Sequence, residues 1–506
     1  MTLLRSSLVS IVGVVALTLF AAITGMAVVT GRSGPLALTL MVLLLISVIG
    51  LTLTSWRSGT MLFFLWLLFE DLPRKFLGNN MLVYFGKDLL VALVYVSFLL
   101  DARARRERIP AFSFRVPLLA FVALGVVQVF NPASPSLLYG LLGLKVYFFY
   151  IPLVVIGYSL VRSESDLRAI LLEFAIVAAI IALLGIVQGI VGLDFLNPTV
   201  LAPELEALGR EVRRSSLSGA LVPRATSIFV SEGRQGSFMM LAFLITFGGA
   251  AYFHVQRARG ASIVFGASII TFVALMLHGS RAGFLLGLLS LGVLSSTYVL
   301  SGGTPDARHR LQAFVWATPI LACVLGGAIY ALFPSSVMAR WALYAESLTP
   351  GSTTSELWWR LWEYPTLNFR GALESGHALL GQGIGTASLG VQYVQRLFGT
   401  APPPPPVESG YGTLLLELGI LGPLLWVIWS GTLVYASWIC VRKLRGTPLF
   451  PVAAAFTWFF MLLMFPLTYG ALNAYQNYLY NAFFWVMVGM LHKLAADVPE
   501  DVSGKQ

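Results

Sequence analysis

Four arginines lie at predicted helix ends or in long loops of a strongly apolar chain: Arg224, Arg281, Arg360 and Arg370. Glu408 opens a predicted helix soon after the last of them. A guanidinium group stays charged and can hold two phosphate oxygens in a bidentate fork. Arginines of this kind at a membrane surface suit a lipid-linked diphosphate.

Each of these residues also has a structural interpretation. An arginine at a helix end can snorkel to the interface or anchor a span. Glu408 can complement the helix dipole at a helix start. The nearby Trp358, Trp359 and Trp362 can form an interfacial aromatic belt. Residue type and position alone leave both interpretations open.

The composition indicates which elements must position these side chains. Of the 506 residues, 57% are hydrophobic and 11% are charged, with a mean hydropathy of +0.82, whereas a soluble protein has about a quarter of its residues charged. Apolar runs long enough to cross a bilayer as helices recur along the chain. We therefore predict an all-α polytopic membrane protein. The net charge of +10 then reflects basic cytoplasmic loops rather than nucleic-acid binding.

About fourteen spans are predicted, the first near residues 8–29 and the last two after a basic cluster near residue 445. The short span near residues 59–69 is either transmembrane or re-entrant. Short basic clusters at 103–108, 257–259, 308–310 and 442–445 all fall on the same predicted side. Basic loops stay in the cytoplasm. Counting the predicted spans from these loops to each end of the chain places both termini in the cytoplasm as well.

These spans divide the chain into an N-terminal bundle with an extracytoplasmic loop, a long polar extracytoplasmic loop between spans 11 and 12, and a C-terminal part. The respective residues are 1–333 with the loop 192–236, then 334–410, then 411–506. Within the first loop, residues 201–216 have an amphipathic helical pattern. In the long loop, Gly381, Gly383 and Gly385 predict a tight turn, because no βαβ unit surrounds them as a dinucleotide fingerprint would require.

Charged residues within the spans are few. Lys87, Asp88, Lys145 and Glu173 lie near predicted helix ends, where snorkelling accounts for them. An ion or proton pump more often has acidic residues near mid-span. Both cysteines fall in apolar spans, so we expect no disulfide, zinc site or thiol nucleophile.

Four motifs in a fixed order resemble the bacterial O-antigen ligase and polymerase superfamily, the WaaL/Wzy-like integral membrane glycosyltransferases. They are PRATSIFVSEGRQGSF before a span, HGSRAGFLLGLL between two spans, RLWEYP…LLGQGIG in the long loop, and ESGYGTLLLELGILG opening the next helix. Together they cover roughly residues 220–425, and the other spans match only in character. The resemblance implies a GT-C-like, Wzy-like helical bundle.

The resemblance also implies a transferase in the bacterial inner membrane with its active site at the periplasmic face. Such proteins take glycan from undecaprenyl diphosphate and transfer it to a sugar hydroxyl, and undecaprenyl diphosphate leaves. Arg224, Arg281 and Arg360 match positions where the family has arginines for the diphosphate. No cofactor or metal is expected, since guanidinium groups supply the positive charge.

Four aromatic residues are candidates for stacking on sugar faces, and the interfacial belt explains them equally well. They are Trp358, Trp359, Tyr364 and Tyr411.

One position departs from the family pattern. Ligases carry a histidine at the head of the helix after the long loop, usually followed by Asn or Ser, where this chain has Glu408 and Ser409. The difference favours a polymerase of O-antigen, capsule or exopolysaccharide. We expect ionised Glu408 to act as general base on the acceptor hydroxyl. Attack from the face opposite the leaving group would invert the anomeric centre.

Three other functions stay open at this point. The nearest is an O-antigen ligase that transfers finished polymer to a lipid or protein acceptor. A transporter or flippase for polysaccharide or lipid-linked sugar is an alternative of another class, and a structural subunit of an envelope complex is a third. The expected partners are the undecaprenyl-diphosphate-linked oligosaccharide donor and acceptor and the lipid bilayer. A chain-length regulator is a further partner that the resemblance allows.

Overall fold

A computed structural model describes residues 35–77, 81–106, 110–197, 212–214, 219, 221–300, 305–348, 358, 362–389, 391, 394 and 409–498. These parts of the chain are almost entirely helical. The helices of the first half are α1 (Pro35–Thr54), α2 (Trp56–Phe69), α3 (Asp71–Phe76), α4 (Met81–Arg105), α5 (Arg115–Gln128), α6 (Leu137–Phe148), α7 (Leu153–Leu160) and α8 (Glu164–Val191).

A short antiparallel hairpin separates the two halves and consists of β1 (Val212–Arg214) and β2 (Leu221–Pro223), with Arg213 opposite Val222. The next helices are α9 (Glu232–Val255), α10 (Ala261–Leu277), α11 (Arg281–Val299), α12 (Pro305–Leu332), α13 (Pro334–Leu348) and α14 (Tyr364–Glu374). The last are α15 (Gly410–Leu418), α16 (Leu421–Leu444), α17 (Phe450–Leu462), a π-helical turn (Leu463–Leu467), α18 (Thr468–Gly470), α19 (Asn473–Gln476) and α20 (Tyr478–Ala496).

Within the described residues, eight helical segments are long and apolar enough to cross a membrane, as a multi-pass membrane protein requires. They are Val83–Arg105, Leu137–Leu160, Glu164–Val191, Glu232–Val255, Arg281–Val299, Pro305–Leu332, Leu421–Leu444 and Phe450–Gly470. Shorter apolar helices include Trp56–Phe69, the segment predicted to be transmembrane or re-entrant. The all-α class is confirmed. The count of about fourteen stays a prediction, and its first span lies outside the described residues.

The centre of the bundle is formed by α9 and α20. Every residue from Phe238 to Phe253 in α9 is buried, and α20 is buried without interruption from Tyr478 to Leu491. Helix α7 packs against α20 through two glycines. A Cβ on Gly157 would lie 2.2 Å from the Val486 carbonyl oxygen, and one on Gly489 would lie 2.0 Å from that of Val154. Small residues at this crossing let the two backbones approach closely.

The predicted basic clusters lie together at one end of the bundle, here called the basic end. Arginine side chains join neighbouring helix ends there through hydrogen bonds: Arg57 to the Leu160 carbonyl, Arg168 to the Tyr252 hydroxyl, Arg310 to the Val255 carbonyl and Arg445 to the Leu300 carbonyl. Helices α9 and α11 begin at the opposite end, at Glu232 and Arg281. The candidate arginines Arg224 and Arg281 therefore lie at the end away from the basic loops.

Two predictions about charged residues in the spans are wrong. The Lys87 side chain is fully buried with its nitrogen 2.9 Å from a Glu70 carboxylate oxygen, so it does not snorkel. Lys145 lies 2.6 Å from Asp88 and both are largely buried. The apolar helical segment that contains Lys145 runs from Leu137 to Leu160, so Lys145 lies within it and not at its end.

Two predictions about secondary structure are also corrected. The amphipathic helical pattern at 201–216 includes Val212–Arg214, which is a strand paired with β2; the rest of that stretch lies outside the described residues. The span predicted to run from Gly410 is interrupted at Gly419, whose φ of +69° is the left-handed conformation that glycine adopts readily. A Cβ there would lie 2.3 Å from the Leu379 carbonyl oxygen. The helix breaks where a neighbouring loop packs against it.

Candidate functional site

The backbone that carries Arg224 is held from several sides. Strand β2 ends at Pro223, and the side-chain oxygen of Gln188 accepts from the amides of Thr226 and Ser227 at 2.8 and 2.6 Å. Lys75 donates to the Ser227 carbonyl at 2.8 Å. Both contacting side chains come from distant parts of the chain, Gln188 from α8 and Lys75 from α3. Arg224 therefore starts from a fixed position.

Arg281 is placed by the tight turn that joins α10 and α11. Helix α10 ends at Leu277, Gly279 has a φ of +87°, and the Ser280 hydroxyl caps α11 by accepting from the Gly283 amide. This is the turn that the HGSRAG motif predicts. Because Gly279 has no side chain, Arg224 can pack against it, and a Cβ there would lie 3.3 Å from the Arg224 Cγ. The structure thus brings Arg224 to the turn from which Arg281 projects.

Each of the two arginines has a carboxylate beside it. Arg224 Nη1 lies 2.6 Å from Glu232 Oε1, and these side chains are 13% and 12% exposed. Arg281 Nη2 lies 3.6 Å from Glu346 Oε2; Arg281 is 29% exposed and Glu346 is fully buried. The sequence analysis identified neither carboxylate. Glu232 lies within the first of the four motifs, four residues before its last glycine, Gly236. Its position at a helix start was the available signal.

Arg340 in α13 connects the segments that carry the two candidate arginines. Its guanidinium donates to the Pro223 carbonyl at 3.1 Å and to the carbonyl of Leu277. It also donates to the Ser336 carbonyl one turn earlier at 2.8 Å. The side chain is 3% exposed. These backbone contacts hold β2, the end of α10 and α13 at fixed spacing. The sequence analysis missed Arg340, because nothing local shows that it faces carbonyls of distant segments.

His278 fills the space between the two arginine-bearing segments. Its Nε2 donates to the Glu232 carbonyl at 3.0 Å. Burial, together with the positive charges of Arg224 and Arg340, lowers the pKa of His278 to about 3. The imidazole is therefore neutral at physiological pH and cannot supply positive charge to a ligand.

A small cavity of about 20 Å³ lies directly beside this group of residues, with room for about one water molecule. Its wall is mostly apolar and comes from α8, α10 and α12. Four polar side chains complete the lining: Gln235, His278, Ser336 and Arg340. Of Arg224, Arg281 and Arg340, only Arg340 lines this cavity.

A second group of charged residues adjoins the first and is here called the buried ionic cluster: Glu70, Asp71, Arg74, Lys87 and Arg234. Both carboxylate oxygens of Asp71 accept from Arg234 Nη1, at 2.7 and 2.6 Å. Asp71 also accepts from Arg74, from the Tyr478 hydroxyl and from the Val230 amide, and it is fully buried. The first group is here called the arginine cluster. It consists of Arg224, Arg281 and Arg340 together with Glu232, His278 and Glu346.

The structure describes the chain again from Ser409, the residue after Glu408, which is the predicted general base. Glu408, Arg360 and Trp359 lie outside the described residues. The next residue after Glu408, Ser409, caps α15 by accepting from the Gly412 amide at 3.2 Å. A Cβ on Gly410 would lie 1.8 Å from the Thr468 carbonyl oxygen, so the start of α15 packs tightly against the first residue of α18. The helix begins where it was predicted.

The described aromatic candidates form separate contacts. Trp358 and Trp362 are both more than half exposed and stack with ring centroids 6.1 Å apart. Tyr411 lies on α15 with its ring 6.4 Å from that of Tyr469. Tyr364 is the first residue of α14. The exposed tryptophan pair fits either an interfacial belt or a sugar-stacking surface.

The three glycines of the long segment do form a turn, with φ values of +75°, +104° and +84° at Gly381, Gly383 and Gly385. The prediction is confirmed. The turn surrounds Glu417, a fully buried carboxylate that the sequence analysis did not single out. Glu417 accepts from the Tyr147 hydroxyl at 2.6 Å and from the Ala387 amide at 2.8 Å. This carboxylate anchors the glycine turn to the bundle.

Among the described residues, no three His, Cys, Asp or Glu side chains come together as a metal site would need. No protein-family model and no curated protein matches the chain.

Proposed function

We propose that the chain is an integral membrane glycosyltransferase, a polymerase of O-antigen, capsule or exopolysaccharide. It transfers glycan from undecaprenyl diphosphate to a sugar hydroxyl of the acceptor. The observation that carries the proposal is the meeting of Arg224 and Arg281 at the turn 278–280, at the end of the bundle away from the basic loops. The positive-inside rule assigns that end to the periplasmic side of the bacterial inner membrane, with both termini in the cytoplasm.

The chemistry assigned to the arginines is electrostatic. Arg224 and Arg281, with Arg360 from the long loop, bind the diphosphate and stabilise the charge that builds on it as the glycosidic bond breaks. Guanidinium groups can do this without a metal.

Glu408 is assigned the role of general base. It accepts the proton of the acceptor hydroxyl while that oxygen bonds to the anomeric carbon. The bond from the anomeric carbon to the diphosphate oxygen breaks, and its electron pair stays with the leaving undecaprenyl diphosphate. Attack opposite the leaving group inverts the anomeric centre. The residues that follow Glu408 are well packed, since Ser409 caps α15 and Gly410 lies against the Thr468 carbonyl.

The test uses purified full-length protein in detergent with a defined undecaprenyl-diphosphate oligosaccharide. Glu408→Gln should abolish polymer formation, whereas Glu374→Gln, an exposed acid in α14, should leave it intact. Arg224→Ala and Arg281→Ala should each weaken donor use by about 2–5 kcal/mol if the contact is buried. Arg103→Ala at the basic end, also exposed, is the matched control.

The products separate the alternatives. Elongation on the lipid carrier supports the polymerase, and transfer of one finished chain to a separate acceptor indicates a ligase. Turnover without a sealed membrane argues against a transporter or flippase. Full-length polymer from the Glu408→Gln variant would show that the base is assigned to the wrong residue.

A further inference from the structure

Both arginines assigned to the diphosphate have an acidic side chain against them. A carboxylate oxygen on a guanidinium nitrogen occupies the position that a phosphate oxygen takes in a bound diphosphate. Glu232 Oε1 does this at 2.6 Å on Arg224, and Glu346 Oε2 lies 3.6 Å from Arg281. A diphosphate that binds these arginines must therefore compete with, or lie beside, two fixed carboxylates.

The carboxylates have structural support of their own. Glu232 is the first residue of α9, where the helix dipole stabilises a negative charge even when a guanidinium turns away. Glu346 is fully buried in α13, the helix that Arg340 ties to β2 and α10. Burial weakens the screening of its charge by water. Both negative charges thus stay near the arginines when a ligand arrives.

The proposed reaction makes the diphosphate of the lipid carrier more negative. In the donor, the outer phosphate is esterified by the sugar. After transfer, the electron pair of the broken bond stays on that phosphate, and the proton released by the acceptor hydroxyl goes to the base. The product therefore carries one more negative charge than the donor at the moment of bond cleavage. Fixed carboxylates repel this product more strongly than the donor.

We propose that Glu232 and Glu346 are resident counter-ions of Arg224 and Arg281 that keep the diphosphate weakly bound and promote release of undecaprenyl diphosphate. This inference rests on the proposed function. The two carboxylates are then positioning residues, and neutralising either of them should tighten the binding of undecaprenyl diphosphate. A carboxylate that merely orients its arginine would have the opposite effect, because its loss would weaken binding.

The experiment measures inhibition of the transfer reaction by added undecaprenyl diphosphate, with the purified full chain in detergent. Glu232→Gln should lower the inhibition constant about tenfold, as expected when one charged hydrogen bond no longer competes. Glu346→Gln should lower it less, because the Arg281 contact is longer. Glu164→Gln is a matched control: Glu164 also opens a helix behind a serine cap, Ser163, but lies at the basic end. It should leave the constant unchanged.

Unchanged or weaker inhibition in both Glu232→Gln and Glu346→Gln overturns the inference. Glu232→Asp keeps the charge and should not tighten inhibition; equal tightening would show that charge is not the cause. If one glutamine variant does not fold, the other carries the test. Failure of the proposed function is distinguishable, because the wild-type protein would then transfer no glycan from the undecaprenyl-diphosphate donor even without added inhibitor.

Discussion

The arginine cluster and the buried ionic cluster both pair arginines with carboxylates, and each has a member in the first turn of α9, yet their contacts differ. Asp71 is fully buried and accepts from two arginines, a tyrosine hydroxyl and a backbone amide. Arg281 is 29% exposed and lies 3.6 Å from Glu346, beyond hydrogen-bond distance. The Asp71 ion pairs are dry and saturated, as expected of pairs that serve the fold, whereas the Arg281 side chain keeps partial exposure to solvent.

The largest effect should come from the saturated carboxylate. Asp71→Ala leaves Arg234 and Arg74 buried without their shared partner, and breaking such a pair costs about 3–5 kcal/mol. The unfolding free energy in a denaturing-detergent titration measures it. Asp497→Ala is the control, because its pair with Lys493 is half exposed and should contribute less than about 1 kcal/mol. Similar losses in both variants would remove the distinction between the two kinds of ion pair.

The sequence carried enough information for the features that depend on local signals. Charge runs predicted the basic end, and the HGSRAG motif between two apolar spans predicted the turn that carries Arg281. The partners of the arginines were not predictable in this way. Glu346 and Arg340 meet Arg281 and Pro223 only because α13 folds back onto the start of α11 and the end of β2.

The partners of the buried charges could not be predicted from the sequence either. Lys87 near a helix end reads as a snorkelling side chain until packing puts Glu70 within 2.9 Å of it. Residue type gives the cost of burying a charge, and only the packing of the helices shows which opposite charge offsets it.

Within the arginine cluster, Arg340 should contribute more than Arg224 to the unfolding free energy, because Arg224 is assigned to ligand binding. Arg340→Ala leaves the buried carbonyls of Pro223 and Leu277 without this donor, a loss of about 1–3 kcal/mol in unfolding free energy. Arg224→Ala should cost less, because the helix dipole of α9 still stabilises Glu232. The same detergent titration compares them. A larger loss for Arg224→Ala would mean that Arg224 is the structural residue of the two.

The smallest effect concerns His278 and its dependence on pH. The folded protein holds the pKa of this imidazole at about 3, mainly through burial and then through Arg224 and Arg340, against an ordinary value of 6.5. The unfolded chain therefore takes up a proton as the pH falls below 6.5, while the folded protein does so only near pH 3. The stability contributed by the neutral ring is fully present above pH 6.5 and is lost progressively toward pH 3.

Between about pH 7.5 and pH 5.5, this difference should lower the stability of the wild-type protein by about 1 kcal/mol. His278→Gln can still donate to the Glu232 carbonyl but cannot take up the proton, so its melting temperature should fall less over the same interval. His309→Gln, at an exposed position of the basic end, should keep the wild-type slope. A wild-type slope in His278→Gln would mean that the imidazole is more accessible to protons than its buried position between Arg224 and Arg340 implies. The arginine cluster would then be an open site on the side of His278 as well as on that of Arg281.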